Sequence, residues 1–169
     1  MKKTINNLFI LGFVFYVLFV VWQILFKYSS PLQLLGNREY FRSVNLIPFN
    51  DIINGNFNKL DIVGNIILFI PLGIYLNIIN PISKIANNIC IIIGTSLGFE
   101  CIQYILGLGA TDTTDIITNT VGGLIGIGIY TVIEKLFKNK VKVKNFVTIC
   151  STVIMVFVGV ILTGIVMYN

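Results

Sequence analysis

The sequence predicts an all-α, polytopic membrane bundle of about five spanning helices, on three observations. Of 169 residues, 56% are hydrophobic and 11% charged, against about 25% charged in a soluble domain. The mean hydropathy is +0.89. The apolar residues fall into runs of about 20, long enough to cross a bilayer, with short polar or Lys-bearing breaks between them. The whole chain, 1–169, therefore reads as one membrane domain with anchors at 5–26 and 146–168. No length remains for a soluble catalytic domain, so any chemistry belongs to the helices or to one loop.

The net charge of +5 comes from 12 basic and 7 acidic residues. Much of the excess lies at 135–144, between two apolar runs. There it is a topology signal rather than a nucleic-acid surface, and the expected partner is the lipid bilayer. Three cysteines and no histidine leave no haem, zinc–imidazole or disulfide framework. Cys90, Cys101 and Cys150 read as small hydrophobes in helix packing. Neither a cofactor nor a metal set is expected.

The first run, 8–26, follows Lys2 and Lys3. It is too long for a signal-peptide core, and KYSSP offers no small-x-small cleavage site, so it reads as an uncleaved span. Residues 27–60 make the one long loop. Loops of this length inside compact domains are often functional. Leu32, Leu34, Leu35, Tyr40 and Phe41, with Arg38, Glu39 and Arg42 on the polar side, predict an interfacial helix. Asn45-Leu46-Ile47-Pro48-Phe49 predicts extended or turning backbone, because the residue before proline is driven from the α region. Such apolar, non-helical sequence suits a re-entrant segment laid back onto the bundle.

The second span, 60–79, opens on Asp61 as an N-cap. It carries Asn65 one turn deeper and Pro71, which predicts a kink. The third span, 89–107, pairs Gly94 with Gly98 as a small-residue seam for a neighbouring helix. Ser96, Glu100 and Gln103 lie on its opposite face. Residues 107–111 read as a tight turn. Thr111 or Asp112 then caps the fourth span, with Asp115 in its first turn, where carboxylates suit the helix dipole. Asp112, Asp115, Asn119, Gly122, Gly123 and Gly126 share one stripe. A Lys-rich loop, 134–145, precedes a fifth span without charge.

With the N-terminus inside, the cytoplasmic segments hold Lys2, Lys3, Lys84, Lys135, Lys138, Lys140, Lys142 and Lys144, and the outer ones Lys27, Arg38, Arg42 and Lys59. The positive-inside rule therefore gives a cytoplasmic N-terminus and an extracytoplasmic C-terminus. This orientation gathers Arg42, Asn45, Asn65, Glu100, Gln103, Asp112, Asp115 and Asn119 in the outer half of the membrane, with no matching inner cluster. Each acid at a helix centre costs about 2.5–3.5 kcal/mol, and intramembrane ionisable residues mark sites. Arg42 paired with Glu100 or Asp115, a protonated Glu100, or a bound divalent cation would offset that cost.

Four motifs then resemble the VanZ-like family: Asn-Leu-Ile-Pro-Phe at 45–49, GNIILFIPLG at 64–73, E-x-x-Q at 100–103, and D-x-x-D-x-x-x-N-T-x-G at 112–122. The resemblance covers a motif core of 44–130. Family members commonly carry an Arg between the Gln and the first Asp. This chain reads YILGLGAT there, which puts more weight on Arg42. The resemblance implies a polytopic cell-membrane protein of the bacterial cell envelope linked to antibiotic resistance, since the family's name-giving member is associated with resistance to teicoplanin, a lipid-tailed glycopeptide.

Two functions compete. In one, the outer-leaflet polar site binds a lipid-linked cell-wall precursor or the tail of a lipoglycopeptide antibiotic. In the alternative, a membrane enzyme acts on a lipid or lipid-linked glycan, with Glu100 as acid and Asp115 as base. A transporter ranks behind both, because no internal repeat is visible.

Overall fold

The computed structural model describes residues 2–25, 41–53, 55 and 59–168. The elements run α1 (Lys2–Leu25), β1 (Phe41–Asn45), α2 (Asn50–Ile53), α3 (Lys59–Ile79), α4 (Ile85–Leu106), β2 (Leu108–Asp112), α5 (Thr113–Phe137) and α6 (Lys140–Tyr168). Among the described residues, α1, α3, α4, α5 and α6 are each long and apolar enough to cross a membrane. The expected five-span helical bundle is the fold. The chain divides into two compact units, Val20–Tyr130 and Met1–Phe19 with Thr131–Asn169.

In the first unit, β1 and β2 form a parallel two-stranded ladder with Phe41 opposite Leu108 and Asn45 opposite Asp112. Parallel strands need a long crossover, and α2, α3 and α4 supply it. Residues 107–111 are thus not the expected tight turn. Gly107 ends α4 in the left-handed region at φ 60, which glycine adopts at no steric cost, and the chain leaves as a strand. Strand β1 lies on β2, and Ile47 to Phe49 turn onto the start of α5, where the Phe49 amide donates to Thr114 Oγ1 at 2.9 Å. Phe49 holds φ 57, an uncommon conformation for a non-glycine residue. The interfacial helix expected from Leu32 to Arg42 lies outside the described residues as far as Tyr40, Arg38 included, and its described end, Phe41 and Arg42, is strand β1 and not helix, because its backbone pairs with β2.

Helix α3 begins at Lys59, so Asp61 sits inside its first turn rather than at the cap. The helix continues through Pro71 to Ile79. Its seam with α5 is glycine on backbone. A Cβ added to Gly122 would run into the Ile66 carbonyl, one on Gly126 into that of Ile70, and one on Gly73 into that of Gly123. Gly94 and Gly98 do not form the expected seam, because a Cβ at either meets nothing within 4 Å. The spacing is right for close approach, but no described helix lies there.

The second unit turns sharply between α5 and α6. The expected lysine-rich loop shrinks to Lys138, at φ 49, and Asn139. Asn139 Oδ1 accepts the amides of Val141 and Lys142 at 2.9 and 3.2 Å, an N-cap that starts α6 among the lysines. Lysine is itself a good helix former, so the charged stretch extends both helices. Lys144 Nζ donates to Asn6 Oδ1 at 2.7 Å and sits 4.6 Å from the Phe9 ring centre. Most of α6 is exposed, which suits a lipid-facing anchor.

Candidate functional site

At the end of the first unit where β1 and β2 lie, the spanning helices α1 and α4 finish and α3 and α5 begin. The last four carbonyls of a helix and its first amides lack partners within it, and the polar residues meet those needs. Gln103 Nε2 donates to the Ile24 carbonyl, in the last turn of α1, at 2.9 Å. Arg42 Nη2 donates to the Ile105 carbonyl, in the last turn of α4, at 3.1 Å, and its guanidinium lies 5.9 Å from the Tyr104 ring centre. A cation at a helix C-terminus also matches the dipole. Asp112 caps α5, with Oδ1 accepting the Thr114 amide at 2.7 Å.

Glu100 joins these ends. Its side chain is 2% exposed, and Oε2 accepts the Asp112 amide at 2.9 Å. The Thr111 hydroxyl donates to the Glu100 carbonyl at 3.2 Å. Asp112 Oδ2 accepts from Asn45 Nδ2 at 3.3 Å. Asn45 in turn accepts the Ile47 amide on Oδ1 and the Thr113 hydroxyl on its carbonyl. Asn45, Asp112 and Glu100 therefore form one continuous network across β1, β2 and α4.

Deeper in the unit, the Asn119 amide donates to Ser96 Oγ at 2.9 Å, one turn below Glu100. Asn65 Nδ2 donates to Thr118 Oγ1 at 3.4 Å, and Thr118 donates back to the Thr114 carbonyl. Asp115 is half-buried in the first turn of α5, and its carbonyl accepts from Thr118. Asn119 and Gln103 are each 1% exposed, and Asn119 Oδ1 and Gln103 Oε1 have no hydrogen-bond partner among the described residues. Buried acceptors of this kind are where water or a ligand group is accommodated.

The eight expected residues thus sit at one end of one unit. Direct bonds connect Asn45, Asp112 and Glu100. Asn65 bonds Thr118 and Asn119 bonds Ser96 as separate pairs, while Gln103 and Arg42 bond carbonyls at helix ends. Threonines 113, 114 and 118 escaped the sequence reading, which named Thr111 only as a possible helix cap. The Thr-Asp-Thr-Thr run around a capping Asp is the signal that could have found them. The other end of α3 and α4 also carries polar residues, an uncharged pair that the sequence reading did not anticipate. Asn88, 0% exposed, donates to Asn77 Oδ1 at 3.2 Å, and Asn77 donates to the Gly73 carbonyl.

A groove of about 270 Å³ opens beside the network, lined by Val44, Glu100, Cys101, Tyr104, Ile105 and Thr111, with an apolar exposed surface. Among the described residues, no three His, Cys, Asp or Glu side chains gather as a metal set.

The sequence profile of the VanZ/LLP1 family matches residues 13–134. Protein VanZ of Enterococcus faecium is 35% identical over 147 residues, covering 87% of this chain and 83% of its own. No solved structure matches. With most of its length matched on both counts and five helices fit to cross a membrane, the chain belongs to the VanZ/LLP1 family as a multi-pass membrane protein.

Proposed function

We propose that this protein lowers susceptibility to teicoplanin at the cell envelope through the polar end of the first unit. That end faces the outer leaflet and binds a lipid-linked or lipid-tailed molecule. The observation that carries the reading is Glu100, a nearly fully buried carboxylate wired through the Asp112 amide to Asn45 and bordering an apolar groove. An amphiphile needs both surfaces side by side, polar contacts for its head and apolar wall for its chain. The family membership and the 35% identity to Protein VanZ support the link to resistance. Arg42, Asn65, Gln103, Asp115 and Asn119 complete the polar end.

The test compares teicoplanin susceptibility of cells expressing wild type, Glu100→Gln and Asp115→Asn, with membrane insertion verified for each. A glycopeptide without a lipid tail serves as control. Loss of protection against teicoplanin in both variants, with no change for the untailed drug, is the expected result. Protection equal to wild type in both would remove this site from the function.

A further inference from the structure

The groove beside Glu100 is the one that the proposed function uses, and the inference rests on that reading and deepens it by naming the class of ligand the groove takes. Three features define its occupant. The first is height. Helix α4 has 22 residues, about 33 Å at 1.5 Å per residue, close to the hydrocarbon thickness of about 30 Å. Its last turn, with Tyr104 and Ile105, therefore lies at headgroup level. Val44, Cys101 and Ile105 are exposed there, and in a bilayer what meets them is lipid.

The second is size. About 270 Å³ lies just below the roughly 300–1,000 Å³ range of sites that enclose a drug-sized ligand. The groove fits one hydrocarbon chain, and the remainder of the molecule stays in the bilayer.

The third is charge. Arg42 is exposed, and its guanidinium rests over Tyr104 while Nη2 bonds the Ile105 carbonyl. Both contact residues line the groove. A guanidinium carries five N–H donors, and at an exposed interfacial position it is a group that recognises phosphate oxygens. Glu100 lies in the floor at 2% exposure. The exposed rim at Arg42, and not this buried floor, is the place for a charged headgroup.

We propose that the groove between β1 and the last turns of α4 seats one chain of a phosphate-bearing lipid, with the phosphate held by Arg42. The chain runs against Val44, Cys101 and Ile105, and the headgroup lies over Tyr104.

The full-length protein, purified in a neutral sugar-headed detergent, is titrated with fluorescent dodecyl phosphate. Unlabelled dodecyl phosphate, dodecanol and inorganic phosphate serve as competitors. Saturable binding is expected, displaced by dodecyl phosphate but by neither dodecanol nor inorganic phosphate. Arg42→Ala weakens it about tenfold or more, as for loss of a charge-assisted hydrogen bond. Arg42→Lys weakens it less, and Cys101→Trp, which fills the groove, abolishes it. Each variant is compared at a size-exclusion profile matching wild type. Displacement by inorganic phosphate alone would mean a simple anion site, and displacement by dodecanol a nonspecific apolar surface. Either result overturns the proposal, as does wild-type affinity in Arg42→Ala or Cys101→Trp. Lost probe binding in these variants with unchanged teicoplanin susceptibility would uphold the lipid groove while separating it from resistance. Unchanged probe binding with lost susceptibility would sink the groove and leave the resistance reading standing.

Discussion

Asp112 does three jobs from one position. Its backbone closes the β ladder opposite Asn45 and donates to Glu100, its Oδ1 caps α5, and its Oδ2 holds the Asn45 amide. Removing a capping carboxylate costs about 1 kcal/mol, and losing the bond to Asn45 about 1 kcal/mol more. Asp112→Ala is therefore expected to lower stability by about 2 kcal/mol, read as an earlier thermal unfolding transition in detergent. Asp112→Asn keeps the capping oxygen but sets an NH2 opposite the Asn45 amide, and loses about half of that. Equal damage from both would mean that the charge, and not the cap, is what matters. Residues such as Asp112 are legible in sequence because a capping acid stands next to the helix it starts. Arg42 and Gln103 were legible only as polar residues in apolar surroundings. Their partners are the carbonyls of Ile105 and Ile24, and a backbone carbonyl leaves no mark on the sequence.

The elements show the same division. Helices α3, α4, α5 and α6 follow from apolar run length and capping chemistry. The β1–β2 ladder does not, because FRSVN and LGATD lack the alternation of a half-buried strand. A two-stranded ladder is also marginal unless other contacts hold it. Here Asn45, Thr113 and Arg42 supply those contacts from outside the ladder pattern. Glycine spacing misled in a related way, since it reports that close approach is possible and not which helix approaches. The correction is testable on the elements themselves. Gly122→Ala and Gly126→Ala each push a methyl into the α3 backbone and should destabilise by about 1–3 kcal/mol, the usual range for overpacking. Gly94→Ala and Gly98→Ala enter open space and should be neutral or stabilising, by up to about 1 kcal/mol from helix propensity. Thermal aggregation of the four variants in one detergent gives the comparison. A larger loss at Gly94 or Gly98 than at Gly122 or Gly126 would contradict the α3–α5 seam.

At the scale of the whole molecule, function depends on which way the chain enters the membrane. A chain that crosses five times has its termini on opposite sides. Lys2, Lys3, Lys84 and the lysines from Lys135 to Lys144 then share one side, and Lys27, Arg38, Arg42 and Lys59 the other. The K/R bias near span ends sets orientation, and the expectation from it is that the first group lies in the cytoplasm. Two fusions at the C-terminus test this. Alkaline phosphatase, active only outside the cytoplasm, should be active there, and green fluorescent protein exported in unfolded form should be dark. The reverse pair of results would turn β1, β2 and the Glu100 network toward the cytoplasm. A drug acting from outside would then not reach them, and resistance would have to arise without direct contact at this site. A charge-depleted variant sharpens the outcome. Exchanging Lys135, Lys138, Lys140, Lys142 and Lys144 for glutamine removes the inner charge excess and leaves the outer segments slightly the more basic. If that excess sets the topology, a mixed population appears, with phosphatase activity falling and fluorescence rising together. Protection against teicoplanin should then decline in proportion to the inverted fraction while Glu100 and Asp115 remain intact.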